Sequence, residues 1–276
     1  MKKSRQKKII PGFGLSLGIT LAVLALLVWL PLAALAFQIG SLSWGQFWAC
    51  VTRPRVLSGF WVSIICALVA AMINLVMGVT LAWVLVRYDF PGKRFFDGLI
   101  ELPFALPTAI AGIALTSLCA ENGWVGRIFA PLGISISFTR TGIVVALIFV
   151  GIPFVVRAVQ PVLEKLDPLY EEAAHMLGAG PARTFFCVVL PELAPAALTG
   201  FGLAFARGMG KYGSVVFIAG NQPNYTEIAP LLIYAQLQEF DYAEATAIAL
   251  VMLAISFALL LLMNIVQHHA ANRTKA

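Results

Sequence analysis

"VLSGFWVSIICALVAAMINLVMGVTLAWVLV", residues 56–86, runs for 31 residues without a charged side chain. About 20 apolar residues in a helix cross the ~30 Å hydrocarbon core of a bilayer. Unpaired backbone groups are too costly in lipid for anything but a helix or a closed barrel. A barrel strand needs strict alternation, which this run lacks. It is a membrane helix with length to spare, absorbed by tilt or by an extended end. Five more apolar runs are long enough to cross, at 13–37, 98–120, 141–160, 194–219 and 245–267. The expected fold class is therefore all-α, a polytopic membrane protein with six transmembrane helices. The whole composition agrees: 60% of residues are apolar, 12% are charged and mean hydropathy is +0.89, against about a quarter charged in soluble domains.

The net charge of +6 would suit a nucleic-acid partner, but its distribution argues for lipid and against nucleic acid. Lys2, Lys3, Arg5, Lys7, Lys8, Arg87, Lys93, Arg94, Arg157, Lys165, Arg183, Arg273 and Lys275 fall on one side of the six runs, and Arg53, Arg55, Arg127 and Arg140 on the other. Lys and Arg concentrate in cytoplasmic loops, so both termini are expected to be cytoplasmic. The first run resembles a signal peptide. It is long for one, contains Pro31 and lacks a following small-x-small site, so it reads as a retained span.

Two spans carry residues that a lipid-facing helix would not choose. In "ELPFALPTAIAG", Pro103 and Pro107 each remove a backbone donor. They mark either a packed kink or carbonyls freed toward a polar path. In "AFARGMGKYGSVVFIAGN", Arg207 and Lys211 stand four apart. Each costs about 2.5–3.5 kcal/mol on insertion scales near mid-bilayer, and they repel each other. Either carboxylates of this or a neighbouring subunit pair with them, or they bias a pathway toward an anion. The stretch is not a phosphate-binding loop, because Phe205 and Tyr212 occupy positions that need Gly and Ser or Thr.

The loop between the fourth and fifth spans holds "DPLYEEAAHMLGAGP". Asp167 suits an N-cap and Pro168 the first helical position. Glu171 and Glu172 favour the positive end of the helix dipole. Gly178 and Gly180 offer left-handed stops, and Pro181 bars continuation. The predicted helix, 168–177, is marginal alone in water. Its apolar residues Leu169, Ala173, Met176 and Leu177 share a face, which must be covered by the bundle, by the membrane interface or by a soluble partner.

Little else carries chemistry. Cys50, Cys66, Cys119 and Cys187 lack metal-ligand spacing and read as small apolar packers. His175, His268 and His269 form no H-E-x-x-H pattern, and there is no G-x-S-x-G. Glu164, Asp167, Glu171 and Glu172 read as a solvated face, so neither catalytic nor metal residues are expected.

Glu172-Ala173-Ala174, three residues, Gly178, nine residues and Val188-Val189-Leu190-Pro191 resemble the EAA motif of type I ABC importer permeases, with Val188 where Ile is usual. "LPFALPTAIAG" (102–112), "IPFVVRAVQPVLEKLDP" (152–168), "VVLPELAPA" (188–196), "VVFIAGN" (215–221) and "LQEFDYAEA" (237–245) are similar to sulfate/thiosulfate permeases. The resemblance implies a permease core over 56–267 with a coupling loop at 161–192, preceded by an arm, a span and a periplasmic loop (1–55) and followed by a cytoplasmic tail (268–276). It implies a bacterial inner-membrane translocation subunit that is not itself an enzyme. The expected partners are an ABC ATPase dimer that holds ATP and magnesium, a second related permease and a periplasmic sulfate/thiosulfate-binding protein. No cofactor is expected in this chain. Glu172, Ala173, Ala174, Met176, Leu177 and Gly178 would form the docking element, with Glu172 orienting the helix and Gly178 permitting the turn. Arg207, Lys211, Pro103 and Pro107 are the candidates for an anion pathway. One position departs: the family usually has an acidic residue where Lys211 stands, so its Arg–Glu pair is missing. A molybdate or tungstate permease and an ATPase-independent anion transporter remain as rivals.

Overall fold

A computed structural model describes residues 13–40 and 42–273; Lys2, Lys3, Arg5, Lys7, Lys8 and Lys275 lie outside them. In chain order the helices are α1 (Phe13–Ile39), α2 (Trp44–Val51), α3 (Pro54–Arg87), α4 (Lys93–Ile100), α5 (Leu102–Ala105), α6 (Thr108–Cys119) and α7 (Gly126–Phe129), the last running into a 3₁₀ turn at Ala130–Leu132. Then come α8 (Arg140–Lys165), α9 (Leu169–Met176), α10 (Pro181–Thr184), a π-helical turn (Phe185–Val189), α11 (Leu190–Met209), α12 (Val215–Ala219), α13 (Ala229–Gln238) and α14 (Tyr242–Arg273). No strand occurs among the described residues.

Among those residues five helices are long and apolar enough to span a membrane: α1, α3, α8, the continuous run Pro181–Met209 and α14. The expected sixth, 98–120, is broken. Leu106 is extended at φ −80°, ψ 134°, the conformation forced on a residue that precedes proline. Pro103 sits in the first turn of α5 and Pro107 just before α6. Each proline therefore starts a helical piece where its missing N–H costs nothing, and neither bends one long helix. The expected fifth span, 194–219, also differs. Helix begins at Pro181, stops at Met209 and resumes at Val215.

The core is the trio α3, α8 and α11. Asn74 donates to Leu147 O at 3.4 Å and Arg87 to Leu166 O at 3.0 Å, so α3 and α8 run parallel. Gly78 of α3 and Gly200 of α11 both abut Val155 of α8, where a Cβ would overlap it. Lipid offers no hydrophobic gain for helix association, so this close small-residue packing is what holds the trio together. Val155, Val156, Val159 and Leu163 of α8 have no solvent exposure. Gln267 donates to Leu198 O at 3.0 Å, docking α14 against α11. Leu15, Trp29 and Leu30 of α1 and Trp61 and Val76 of α3 point outward, as a lipid-facing surface requires.

Cys50, Cys66 and Cys119 are buried as expected, whereas Cys187, in the π-helical turn, is exposed. Burial, with Glu244 beside it, pushes the Cys50 thiol up to about 11, which keeps it protonated and unreactive.

Candidate functional site

At the end of the bundle where α3 and α8 finish, α9 stands away from the packed helices. Its start lies one residue later than the sequence suggests: Pro168 is the N-cap and Leu169 the first helical residue, with Asp167 Oδ1 accepting the Leu169 N–H at 3.0 Å from just outside and Glu171 and Glu172 in the first turn. Its stop is a paired closure, with Gly178 N–H donating to His175 O at 2.9 Å and Ala179 N–H to Ala174 O at 3.0 Å. This geometry needs a left-handed residue, and Gly178 has φ +82°. Gly180 is not a second left-handed stop. It is extended at φ −73°, ψ 164° and leads into α10, whose first residue is Pro181.

The apolar face of α9 is uncovered. Met176 and Leu177 are each 89% exposed, Leu169 and Ala173 are exposed too, and Ala174 is half-buried. Neither the bundle nor a neighbouring loop shields them, although bare apolar side chains gain about 1.5–3 kcal/mol each when buried. The helix is oriented through Glu171, whose carboxylate meets Arg87 at 2.7 Å. Glu172, the residue expected to orient it, is exposed and has no ion pair among the described residues.

Gly178→Val is expected to damage this element alone. Nothing lies within 4 Å of a Cβ at Gly178, so the cost is purely conformational, about 1–2 kcal/mol for a left-handed L-residue. Partner binding should weaken about tenfold, with the melting temperature of the chain unchanged. A melting temperature that falls with binding would mean that the turn supports the bundle.

The second arrangement lies where the two broken spans meet. A Cβ on Gly112 of α6 would overlap the Ser214 backbone, and one on Gly213 would overlap Thr108. The breaks at 106–108 and 210–214 are therefore in contact. Arg207 lies in the last turn of α11 and Lys211 just beyond it, in the break, so they do not share a continuous helix face as expected. Arg207 is exposed and lies over the Phe154 ring at 5.8 Å. Phe154 in turn meets Phe104 edge-on at 5.1 Å. Lys211 is half-buried. Among the described residues no carboxylate comes within ion-pair distance of either cation, whereas Arg53, Arg55, Arg87 and Arg157 all have one. Ser214 is fully buried and its Oγ lacks a hydrogen-bond partner. Pro107 borders this junction. Pro103 does not: it lines a cavity of about 400 Å³ whose other walls are apolar, including Leu81, Phe96 and Ile152.

Several residues that sequence reasoning counted only as loop charge are structural. Arg157 bonds Asp97 Oδ1 at 2.8 Å and Glu101 at 2.8 Å, tying α8 to α4 and to the start of α5. At the opposite end Arg55 donates from two nitrogens to the two oxygens of Glu227, and Arg53 Nη1 donates to both oxygens of Glu244.

Comparison with known proteins aligns with this geometry. Residues 74–276 match the family described as "Binding-protein-dependent transport system inner membrane component". The chain is 49% identical over 267 residues to the sulfate transport system permease protein CysT of Salmonella typhimurium, covering 97% of this chain and 96% of that one. It is 48% identical, with the same coverage, to the protein of that name in Escherichia coli K12. A Synechocystis protein of the same name is 48% identical over 249 residues, 90% of this chain and 87% of that one. Among solved structures, a chain of a bacterial ABC transporter involved in import of the acidic polysaccharide alginate superposes with a TM-score of 0.76 at 14% identity, covering 94% and 96% of the two chains. A chain of the MetNI methionine ABC transporter, in inward-facing conformations, superposes with a TM-score of 0.60 at 16% identity, covering 83% and 99%.

Proposed function

Because the chain belongs to the family of binding-protein-dependent transport system inner membrane components, we propose that it is the permease subunit of a type I ABC importer, carrying sulfate or thiosulfate across a bacterial inner membrane. The observation that carries this reading is α9, a capped helix held outside the bundle with Met176 and Leu177 bare. An ATPase dimer would cover that face. ATP and magnesium would be bound there, in the partner, and this chain would supply the moving pathway. With a second, related permease it would form the translocation path, and a periplasmic sulfate- or thiosulfate-binding protein would dock at the opposite end. Both termini would then be cytoplasmic.

The mechanism is alternating access. ATP-driven closure of the ATPase displaces α9, and the displacement rocks α3, α8 and α11 against the partner permease. Such coupling requires that α9 make different contacts in the two states. The junction of the broken spans is the proposed anion path. Irregular backbone at membrane depth persists only where protein or water covers it, and among the described residues no carboxylate pairs with the two cations beside it. An oxyanion would offset their mutual repulsion and supply the missing counter-charge.

Lys211→Gln tests the path. One unit charge about 10 Å from the anion is worth about 1.7 kcal/mol at an effective dielectric of about 20, so the KM for sulfate should rise more than tenfold with the maximal rate less affected. An unchanged KM would remove Lys211 from the path. The whole reading is tested by reconstituting the permease pair with and without its ATPase. Sulfate uptake should require the ATPase and ATP, and excess thiosulfate should compete more strongly than molybdate. Gradient-driven sulfate flux without the ATPase would overturn it.

A further inference from the structure

We infer that Arg87 is a positioning residue that delivers the displacement of α9 to α3 and α8 together; the inference rests on the importer reading above. The guanidinium closes the last turn of α3 and touches two other parts of the chain besides its own helix. Its Nε donates to Glu171 Oε1 at 2.9 Å, and its Nη2 lies 2.7 Å from the same oxygen. Nη2 also donates to Leu166 O at 3.0 Å, in the residue that ends α8. Its planar head lies over the Trp83 ring at 5.9 Å, and Trp83 meets Phe185 of the π-helical turn edge-on at 5.1 Å. One rigid fork thus binds α9, the end of α8 and its own helix, and through Trp83 it reaches the segment that follows α9.

Three features make this a joint rather than decoration. The side chains of Arg87 and Glu171 are only 16% and 19% exposed, so the pair is stronger and less screened than a surface ion pair. Among the described residues it is the one ion pair or side-chain hydrogen bond from α9 to the bundle; the others, Asp167 with Leu169 and His175 with Ala179, are local to the loop. The load also has somewhere to go. α3 and α8 run parallel and end at this point, and Arg157 links α8 to Asp97 and Glu101 at the foot of the broken span. A guanidinium suits such a joint because its fork fixes direction, which a lysine ammonium on a flexible stem does not.

The test uses the assembled transporter in vesicles, with radiolabelled sulfate, the binding protein and ATP, and reads sulfate imported per ATP hydrolysed. Arg87→Gln is expected to lower that ratio about tenfold, the scale of a charge-assisted hydrogen bond lost from a largely buried pair. The ATPase should still co-purify and still hydrolyse ATP. Glu171→Gln should do the same, and the double variant should be no worse than either single, the signature of a shared contact. The exchanged pair, Arg87→Glu with Glu171→Arg, should recover most of the coupling. An unchanged ratio in Arg87→Gln overturns the inference. So do single losses that multiply in the double variant, and so does an ATPase missing from both Arg87→Gln and the exchanged pair. Sulfate import by the unaltered chain without ATPase would instead sink the importer reading, whatever Arg87 does.

Discussion

Replacing Met176 and Leu177 together with Asp strips the ATPase from the detergent-purified transporter and abolishes ATP-driven uptake. Among the described residues the two side chains are the most exposed large apolar groups, and both sit at the end of a helix whose stop is fixed by Gly178. If a partner buries them, each contributes about 1.5–3 kcal/mol, and the pair about 3–6 kcal/mol. That is a weakening of docking by about a hundredfold to about ten-thousandfold, every 1.4 kcal/mol being about tenfold. The isolated chain should hardly notice. Exposed substitutions away from structural features stay within about 0.5 kcal/mol, or about 2 °C in a chain of this size. Co-purification and thermal melting, measured side by side, separate docking from folding. A transporter that keeps its ATPase with both aspartates in place would show that α9 is not where the partner grips.

Arg55→Ala should be the most destabilising single change at the opposite end. Glu227 is fully buried, its side chain 1% exposed, and both of its oxygens take a hydrogen bond from Arg55 at 2.7 Å. The same segment is held by Ser58 Oγ donating to Asn224 O at 3.0 Å and by Arg140 Nε donating to Tyr225 O at 2.8 Å. Without Arg55 the Glu227 carboxylate is left uncompensated. Breaking a buried pair costs about 3–5 kcal/mol, and the half-exposed guanidinium argues for about 3 kcal/mol. That is about 6–12 °C of melting temperature. Converting both residues to Met should return most of it, because an apolar pair of similar volume replaces a buried ion pair at little cost. A loss that persists in the double variant would place the stabilisation in Arg55 packing rather than in the pair.

The sequence and the structure agree where a property is local and additive. Apolar runs announced α1, α3, α8 and α14 to within about six residues at either end, because lipid selects on summed polarity. The start near Asp167, to within one residue, and the stop at Gly178 were legible because each is decided within one turn. The break at 106–108 was not. Summed hydropathy over 98–120 is the same for a kinked helix and for three pieces, and whether Pro107 bends or begins a helix depends on what lies opposite, here the 213–214 backbone. Glu171 and Glu172 are equivalent by composition, and which one meets Arg87 is set by the rotation of α9 about its axis, a tertiary property. Arg55 and Glu227 are 172 positions apart, and nothing short of the fold brings them together. Lys211 lay where the sequence suggested trouble, but outside the helix rather than within it.

The π-helical turn at Phe185–Val189 has a consequence for how this chain tolerates change in length. A turn of that kind holds one residue more than its α-helical equivalent. The extra residue is absorbed within the turn, so removing one of these five lets the segment close as ordinary α-helix with its two ends in nearly the same angular phase. The rod carrying Met176 and Leu177 would keep its direction. One residue taken from the regular part of α11 finds no such slack and turns everything upstream by about 100° around the axis. This stretch should therefore accept a shorter backbone where its neighbours along the same helix refuse one.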